Sequence, residues 1–293
     1  VKVLEAIQRS SDYLGRKGVD SPRLNAELLL SHVLGMPRMR LYLNFERPLE
    51  AREVEVLREL VVRRGKREPL QQITGSACFC GLDFAVNRHV LTPRPETELL
   101  AELAWKTLEN VAVASGTNPT ALDFGTGSGC LAITLAAKCP NATITAVDVS
   151  PAALEVACQN ARQHGVYDRI RFVQSDGFSK LEPDSRFHLI VANPPYIPTV
   201  DMPGLQPEVR DYEPGIALDG GPDGLDFYRR LANEASRYLI RGSPLAMEFG
   251  DGQEEAIKAI LLSQKWIVEP PARDYTGRPR IMVARKSPQS QVS

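Results

Sequence analysis

Asp123-Phe124-Gly125-Thr126-Gly127-Ser128-Gly129 stands directly after an apolar stretch, Ala121 to Phe124, and directly before a helix-forming one, Cys130 to Lys138. Glycine lets the backbone turn sharply and approach a ligand closely, so the run reads as a strand-to-helix turn. Steric need alone also calls for glycine in such a turn, and the segment by itself names no ligand. The same alternation continues downstream. Strands are expected at Thr143 to Val147, Ile170 to Gln174, Phe187 to Ala192, Pro244 to Phe249, Trp266 to Pro270 and Arg280 to Ala284. Helices are expected at Ala152 to His164, near Leu225 to Tyr238 and at Gln253 to Ser263. Such an order predicts an α/β fold, an open doubly wound sheet of seven strands. A short joint containing Asp274 and Gly277 makes the last strand antiparallel to its neighbour.

The first seventy residues have a different texture. Leu24, Leu28 and Leu34, with Ala26, Leu29 and Val33, form a broad apolar helical face, and Val54, Leu57, Leu60 and Val61 form another within Glu50 to Arg64. Ser21-Pro22 reads as a cap and first-turn pair, and Gly35 with Pro37 as a stop. A small helical bundle is expected over residues 1–70. Gly75 and Gly81 punctuate two strand-like pieces, Ala77 to Phe79 and Leu82 to Val86, predicting a linking β-hairpin over 71–92. Residues 93–293 then carry the sheet, after a helix at Glu98 to Asn110; the tail from Lys286 is polar and expected to fray.

Charge narrows the function classes. Net charge is -1, with +4 over residues 1–92 and -5 over the rest; the densest basic run is Arg63, Arg64, Lys66 and Arg67. A stable nucleic-acid partner, which draws on many cationic phosphate contacts, is not expected. Polar residues interrupt every candidate span, and no membrane partner or secretory leader is expected either. Five cysteines in 293 residues do not make a disulfide framework, and Cys78 and Cys80 supply too few ligands for a metal site. The expectation is a reduced, cytoplasmic, monomeric protein without metal.

In open α/β sheets ligands bind outside the strands' carboxyl ends. Asp123, Asp148, Asp176 and Asn193 each close a strand there. Asp148, 19 residues after Gly129, is placed to accept from two ribose hydroxyls, although with Ser150-Pro151 it would also suit a helix cap. Asp123, before Gly125, Thr126 and Gly127, suits a cationic amino-acid group and would repel a pyrophosphate. Ser175-Asp176-Gly177-Phe178 offers a polar group and a ring for the amine and face of an adenine. Together these favour S-adenosylmethionine over a dinucleotide.

Asn193-Pro194-Pro195-Tyr196 follows the apolar strand Leu189 to Ala192. Two prolines hold the backbone extended, presenting the Asn193 side-chain oxygen and the Pro194 carbonyl as fixed acceptors beside the Tyr196 ring. A planar NH2 matches all three. Its lone pair is delocalised, so holding both hydrogens and favouring the positive charge that develops on nitrogen is what promotes attack on a sulfonium methyl. A rigid turn is the plainer reading of the tetrapeptide, and an adenine N6 fits it as well as a glutamine amide.

With these motifs the chain resembles the bacterial release-factor glutamine methyltransferase family over nearly its whole length. The likeness also runs through Leu24-Asn25-Ala26-Glu27-Leu28-Leu29-Leu30, Thr92-Pro93-Arg94-Pro95-Glu96-Thr97-Glu98, Tyr212-Glu213-Pro214, Ala217-Leu218-Asp219-Gly220-Gly221, Asp223-Gly224-Leu225 and Asp274-Tyr275-Thr276-Gly277-Arg278. The resemblance implies methylation of the glutamine N5 in the Gly-Gly-Gln tip of class 1 peptide chain release factors, with S-adenosylhomocysteine as product. It implies that Asn193, Pro194 and Tyr196 hold the amide, and that Asp123, Gly125, Thr126, Gly127, Asp148, Asp176, Gly177 and Phe178, with Asn193, hold the cofactor. Pro93, Arg94, Pro95, Glu96 and Pro195 would shape the substrate loop, and the helical domain would recognise the body of the factor. Phe124 stands where the family usually has leucine, and Gln71-Gln72 with Cys78 and Cys80 departs from its hairpin. An adenine N6 methyltransferase and a noncatalytic binding module are the alternatives.

Overall fold

A computed structural model describes residues 1–286, and the polar tail lies outside them. The chain forms two compact units, Val1–Ser76 with Leu205–Tyr212, and Ala77–Gly204 with the residues from Glu213 onward.

The N-terminal part of the first unit is built from α1 (Val3–Arg16), α2 (Pro22–Leu34), α3 (Arg38–Tyr42), α4 (Ala51–Gly65) and α5 (Leu70–Thr74). Val3, Ile7, Leu14, Leu29, Leu30 and Leu41 are fully buried in its core, as apolar residues at helical spacing should be. Pro22 opens α2 at its first position, but Ser21 before it is left-handed (φ 48°) and its side chain caps nothing. Asn25 Nδ2 donates to the Ser21 and Asp20 carbonyls instead, at 3.1 and 3.0 Å. Gly35, at φ 58°, ends the helix.

The basic run on and after α4 is largely spent inside the unit. Arg63 pairs with Glu68, Arg64 donates to Asn25 Oδ1 at 2.8 Å and to Glu208 Oε1 at 3.0 Å, and Arg67 grips both Glu208 oxygens at 2.6 and 2.7 Å. Two guanidiniums on one carboxylate hold the Leu205–Tyr212 segment, which contains the short α9 (Pro207–Arg210). The Tyr212 hydroxyl adds a bond to the Lys66 carbonyl at 2.8 Å. Since Glu208 lies 144 residues after Arg64, no local pattern announces this closure.

The second unit begins with the hairpin β1 (Ser76–Phe79) and β2 (Leu82–Ala85), whose Phe79 and Phe84 rings meet edge-on at 6.1 Å and are fully buried. Next come α6 (Thr97–Ser115), β3 (Thr120–Phe124), α7 (Cys130–Lys138), β4 (Thr143–Asp148), α8 (Pro151–Gln163), β5 (Ile170–Gln174) and β6 (Leu189–Ala192). The unit finishes with α10 (Asp226–Glu234), β7 (Pro244–Glu248), α11 (Glu254–Ser263), β8 (Trp266–Val268), the two-residue β9 (Ala272–Arg273) and β10 (Pro279–Lys286). Helix α6 runs longer than the sequence suggests, through Ser115 to a left-handed Gly116.

Strand order is β5-β4-β3-β6-β7-β10-β8, with β9 beside β10. Pairing is parallel from β5 to β7, and β10 runs antiparallel to β7, β8 and β9. This is the expected doubly wound sheet with its inverted last strand. Alternate residues feed opposite layers: Ala121, Ile144, Leu189 and Val191 pack on one face, Leu122, Val147, Ile190 and Met247 on the other. Register aligns Phe124 with Val147 and Ala192, and Asp148 with Gln174, so four strands end along one edge. Among the described residues no helix is long and apolar enough to cross a membrane.

Candidate active site

At that edge the glycine run does more than turn. Gly125 N and Thr126 N both donate to the Val147 carbonyl at 2.9 Å, hooking the loop over the neighbouring strand. Gly129 is left-handed (φ 82°), and a Cβ there would meet Ile133 Cδ1 at 2.8 Å and Ala157 Cβ of α8 at 3.0 Å, so glycine is needed where α7 starts beside α8.

Asp123 lies wholly buried beneath the loop. Its Oδ2 accepts from Thr126 Oγ1 at 2.6 Å and from Ala132 N at 3.1 Å, anchoring the first turn of α7, while Oδ1 has no partner among the described residues. Burial pushes this carboxyl up to about 7, against the two hydrogen bonds that favour its charge. Asp148 is held differently: Oδ2 accepts from Gly127 N at 2.8 Å and Oδ1 from Ser150 N at 2.9 Å. Burial raises its pKa as well, with those backbone donors opposing. Each oxygen keeps a lone pair, so the carboxylate is fixed yet unsaturated. Ser150 does cap α8, its Oγ accepting from Ala153 N at 3.2 Å.

A cavity of about 370 Å³ opens over these groups, within the range of small-molecule sites. Gly125, Gly127, Asp148, Asp176, Gly177 and Asn193 line it, together with Pro194 and Pro195. Asp123 and Thr126 are buried and are not among the residues that line it. Phe178 departs from expectation: its ring stacks on Tyr238 at 5.1 Å and contacts Phe124, facing the core and not the cavity. The apolar wall comes from Val147, Val149 and Phe227. Asp176 is also partly engaged, because Arg230 donates to its Oδ1 and, at 2.7 Å, to its carbonyl.

Across the cavity Asn193 Nδ2 donates to Thr97 Oγ1 at 3.0 Å. No described residue donates to Asn193 Oδ1 or to the Pro194 carbonyl. Both acceptors demanded by a planar amine are therefore open. Tyr196 is half-buried against the core and not on the cavity wall. Arg94 pairs with buried Glu213 at 2.6 Å, tying the Pro93-Arg94-Pro95 loop to the Pro214 turn, whereas Pro95 and Glu96 are exposed.

Three positioning residues escaped the sequence reading. Gln253 accepts from Gly250 N at 3.0 Å and donates to the Tyr196 and Gly224 carbonyls at 2.9 and 3.2 Å, locking the turn after β6. Fully buried Asn160 joins Ala85 of β2 to the Ser128 carbonyl of the glycine loop. Thr97 orients Asn193. Each makes bonds across 29 to 96 residues of chain, and no short motif encloses such pairs.

The sheet, the cavity at its carboxyl edge and a match to the methyltransferase small domain over residues 101–202 define an S-adenosylmethionine-dependent methyltransferase. Residues 5–75 match the PrmC N-terminal domain. A release factor glutamine methyltransferase of Geobacter sulfurreducens is 45% identical over 93% of this chain and 93% of its own, and that of Chlorobaculum tepidum is 46% identical over 86% and 87%. The chain belongs to the release factor glutamine methyltransferase family. Among solved structures, the human METTL16 catalytic domain in complex with an RNA hairpin of the MAT2A 3'UTR has a TM-score of 0.54 at 16% identity, covering 78% of this chain and 82% of that one. That likeness is one of fold.

Proposed function

We propose that the protein methylates the N5 amide nitrogen of the glutamine in the Gly-Gly-Gln tip of class 1 peptide chain release factors. One observation carries this reading: Asn193 is held by its nitrogen, leaving its oxygen and the Pro194 carbonyl as two open acceptors at the cavity. The family relationship supplies the kind of amide. S-adenosylmethionine, when bound, supplies an electrophilic sulfonium methyl. The residues present fit it: Asp123 Oδ1 is a buried oxygen without a partner, and Asp148 keeps a lone pair on each fixed oxygen. In this reading Asp123 serves the ammonium, Asp148 the ribose, and Asp176 with Gly177 the adenine edge. Asn193 and Pro194 hold both amide hydrogens, turning the nitrogen lone pair toward the methyl and favouring the charge it acquires. Tyr196, its carbonyl fixed by Gln253, holds the turn that carries these two acceptors. The proton leaves nitrogen after transfer, so no base needs to remove it first. We assign recognition of the factor's body to the helical unit.

A labelled-methyl assay tests the substrate. It compares a release factor, its Gln-to-Ala version and nucleic acid, with mass spectrometry locating the label. One methyl on the tip glutamine is expected; label on nucleic acid alone would replace the amide by an adenine, and no transfer to any of them would leave a binding module.

Asp123 also predicts how cofactor affinity follows pH. Its folded pKa near 7 lies above the ordinary carboxylate value, so the free protein holds this proton below pH 7 and must release it to meet a cation. Affinity should therefore rise with pH through that range, by up to about tenfold per unit below pH 7, and level off above. Calorimetric titrations from pH 5.5 to 8.5 check this. Asp123→Asn should bind more weakly with the slope removed; a slope equal to that of the wild type would assign the proton elsewhere.

A further inference from the structure

Arg230 is not part of the cavity wall, yet two residues of that wall are built on it. It stands on α10, one turn after Phe227, which does line the cavity. The helix is a firm base. Tyr228 and Leu231 are buried in the core, the Tyr228 hydroxyl donates to the Glu248 carbonyl at 2.9 Å, and Trp266 Nε1 donates to the Ala232 carbonyl at 2.8 Å. From this base the guanidinium reaches Asp176, donating through Nη1 to Oδ1 and through Nη2, at 2.7 Å, to the carbonyl. Glu234, one turn further along α10, holds its Nε at 3.4 Å. The same group lies over Gly177: a Cβ there would meet Arg230 Cζ at 2.6 Å, with Nη2 and Nε the next nearest atoms. Gly177, at φ 57° and without a side chain, is what admits the guanidinium.

A planar fork on a side-chain oxygen and the main-chain oxygen of one residue fixes two things at once. Holding Oδ1 stops rotation of the Asp176 side chain. Holding the carbonyl fixes the plane of the peptide joining Asp176 to Gly177, and in a trans peptide the N–H points opposite to the C=O. The Gly177 N–H is therefore directed away from Arg230. Ser175 Oγ, donating to the Gly177 carbonyl at 2.7 Å, steadies the far side of the turn. Two groups are left on adjacent wall residues, the acceptor Asp176 Oδ2 and the donor Gly177 N–H, and neither has a partner among the described residues.

We propose that Arg230 is a positioning residue for cofactor selection, setting an acceptor and a donor side by side that take a 6-aminopurine and refuse a 6-oxopurine. The inference rests on the reading that places the adenine edge at Asp176 and Gly177, and deepens it. Adenine offers a donor at N6 and an acceptor at N1, the complement of that pair. A 6-oxopurine offers an acceptor at O6 and a donor at N1, so acceptor would face acceptor and donor would face donor.

Calorimetric titration at pH 8 with S-adenosylhomocysteine and its 6-oxo counterpart, S-inosylhomocysteine, reads the selection without turnover. The wild type should prefer the amine by about a hundredfold. Arg230→Met, which keeps the stem and removes the fork, should narrow that preference to about tenfold or less, mainly by weakening the adenine ligand. General loosening of the fold would weaken both ligands alike and leave their ratio unchanged. Arg230→Lys, which cannot grip two oxygens in one plane, should recover only part of the ratio. Gly177→Ala is an independent route, because its methyl falls where the guanidinium lies. It should narrow the ratio in the presence of Arg230 and change it no further in Arg230→Met. A preference surviving intact in Arg230→Met would overturn the proposal; should that variant not fold, the same outcome in Gly177→Ala would do so. Equal affinities in the wild type would instead take the adenine away from Asp176 and Gly177, defeating the placement on which the proposal stands.

Discussion

Asn193→Ala is expected to lower the single-turnover rate by about two to three orders of magnitude while cofactor affinity changes by less than about threefold. The variant removes Oδ1, one of the two acceptors proposed for the amine, and would leave the nitrogen's hydrogens half-held as charge develops on it. It also strips the buried Thr97 hydroxyl of the donor at 3.0 Å. Neither loss touches the Asp148 carboxylate, which is fixed by Gly127 and Ser150 on neighbouring loops. Rapid-quench measurement of methyl transfer beside calorimetric cofactor binding separates the two effects. An unchanged transfer rate would remove Asn193 from the chemistry, and a parallel loss of cofactor affinity would make it chiefly a binding residue.

For Asp148→Ala the loss should fall on binding: a rise in cofactor Kd of about a hundredfold, with the transfer rate at saturation reduced by less than about tenfold. The carboxylate gathers Gly127 N and Ser150 N and still has capacity for two hydroxyls. Alanine would delete the proposed ribose contacts and free the backbone of the glycine loop that this side chain tethers. Asp148→Asn separates those contributions, because one acceptor oxygen survives while the second position becomes a donor facing backbone N–H. It should recover only part of the affinity. Equal Kd for wild type and Asp148→Ala would refute the ribose assignment.

What could be read before the structure shares one property: its partners are close in sequence, or its geometry follows from residue type alone. Glycine at 125, 127 and 129, acids ending β3 and β4, and paired prolines after β6 each constrain their own few residues of backbone. Periodicity of two and of 3.6 likewise places strands and helices, because side-chain direction alternates within an element. Facing is another matter. Phe178 carries a ring that could have met an adenine, but Tyr238, sixty residues on, stacks against it and turns it into the core. The basic run at Arg63 to Arg67 looks like a cationic surface until Glu208 arrives to neutralise two of its guanidiniums. Thr97, Asn160 and Gln253 are ordinary polar residues in sequence, and their roles arise only where distant segments bring a donor to an acceptor.

Strand β10 has a consequence for how this sheet comes into being. It follows β8 in the chain but lies between β8 and β7 in space. While a nascent chain lacks residues 279–286, the facing borders of β7 and β8 have nothing to bond, and an unpaired strand border is a template for unwanted association. Completion must come by insertion of a late segment into a waiting slot. A truncation within that segment should therefore cost solubility before it alters the cavity over the carboxyl ends of β3, β4 and β6.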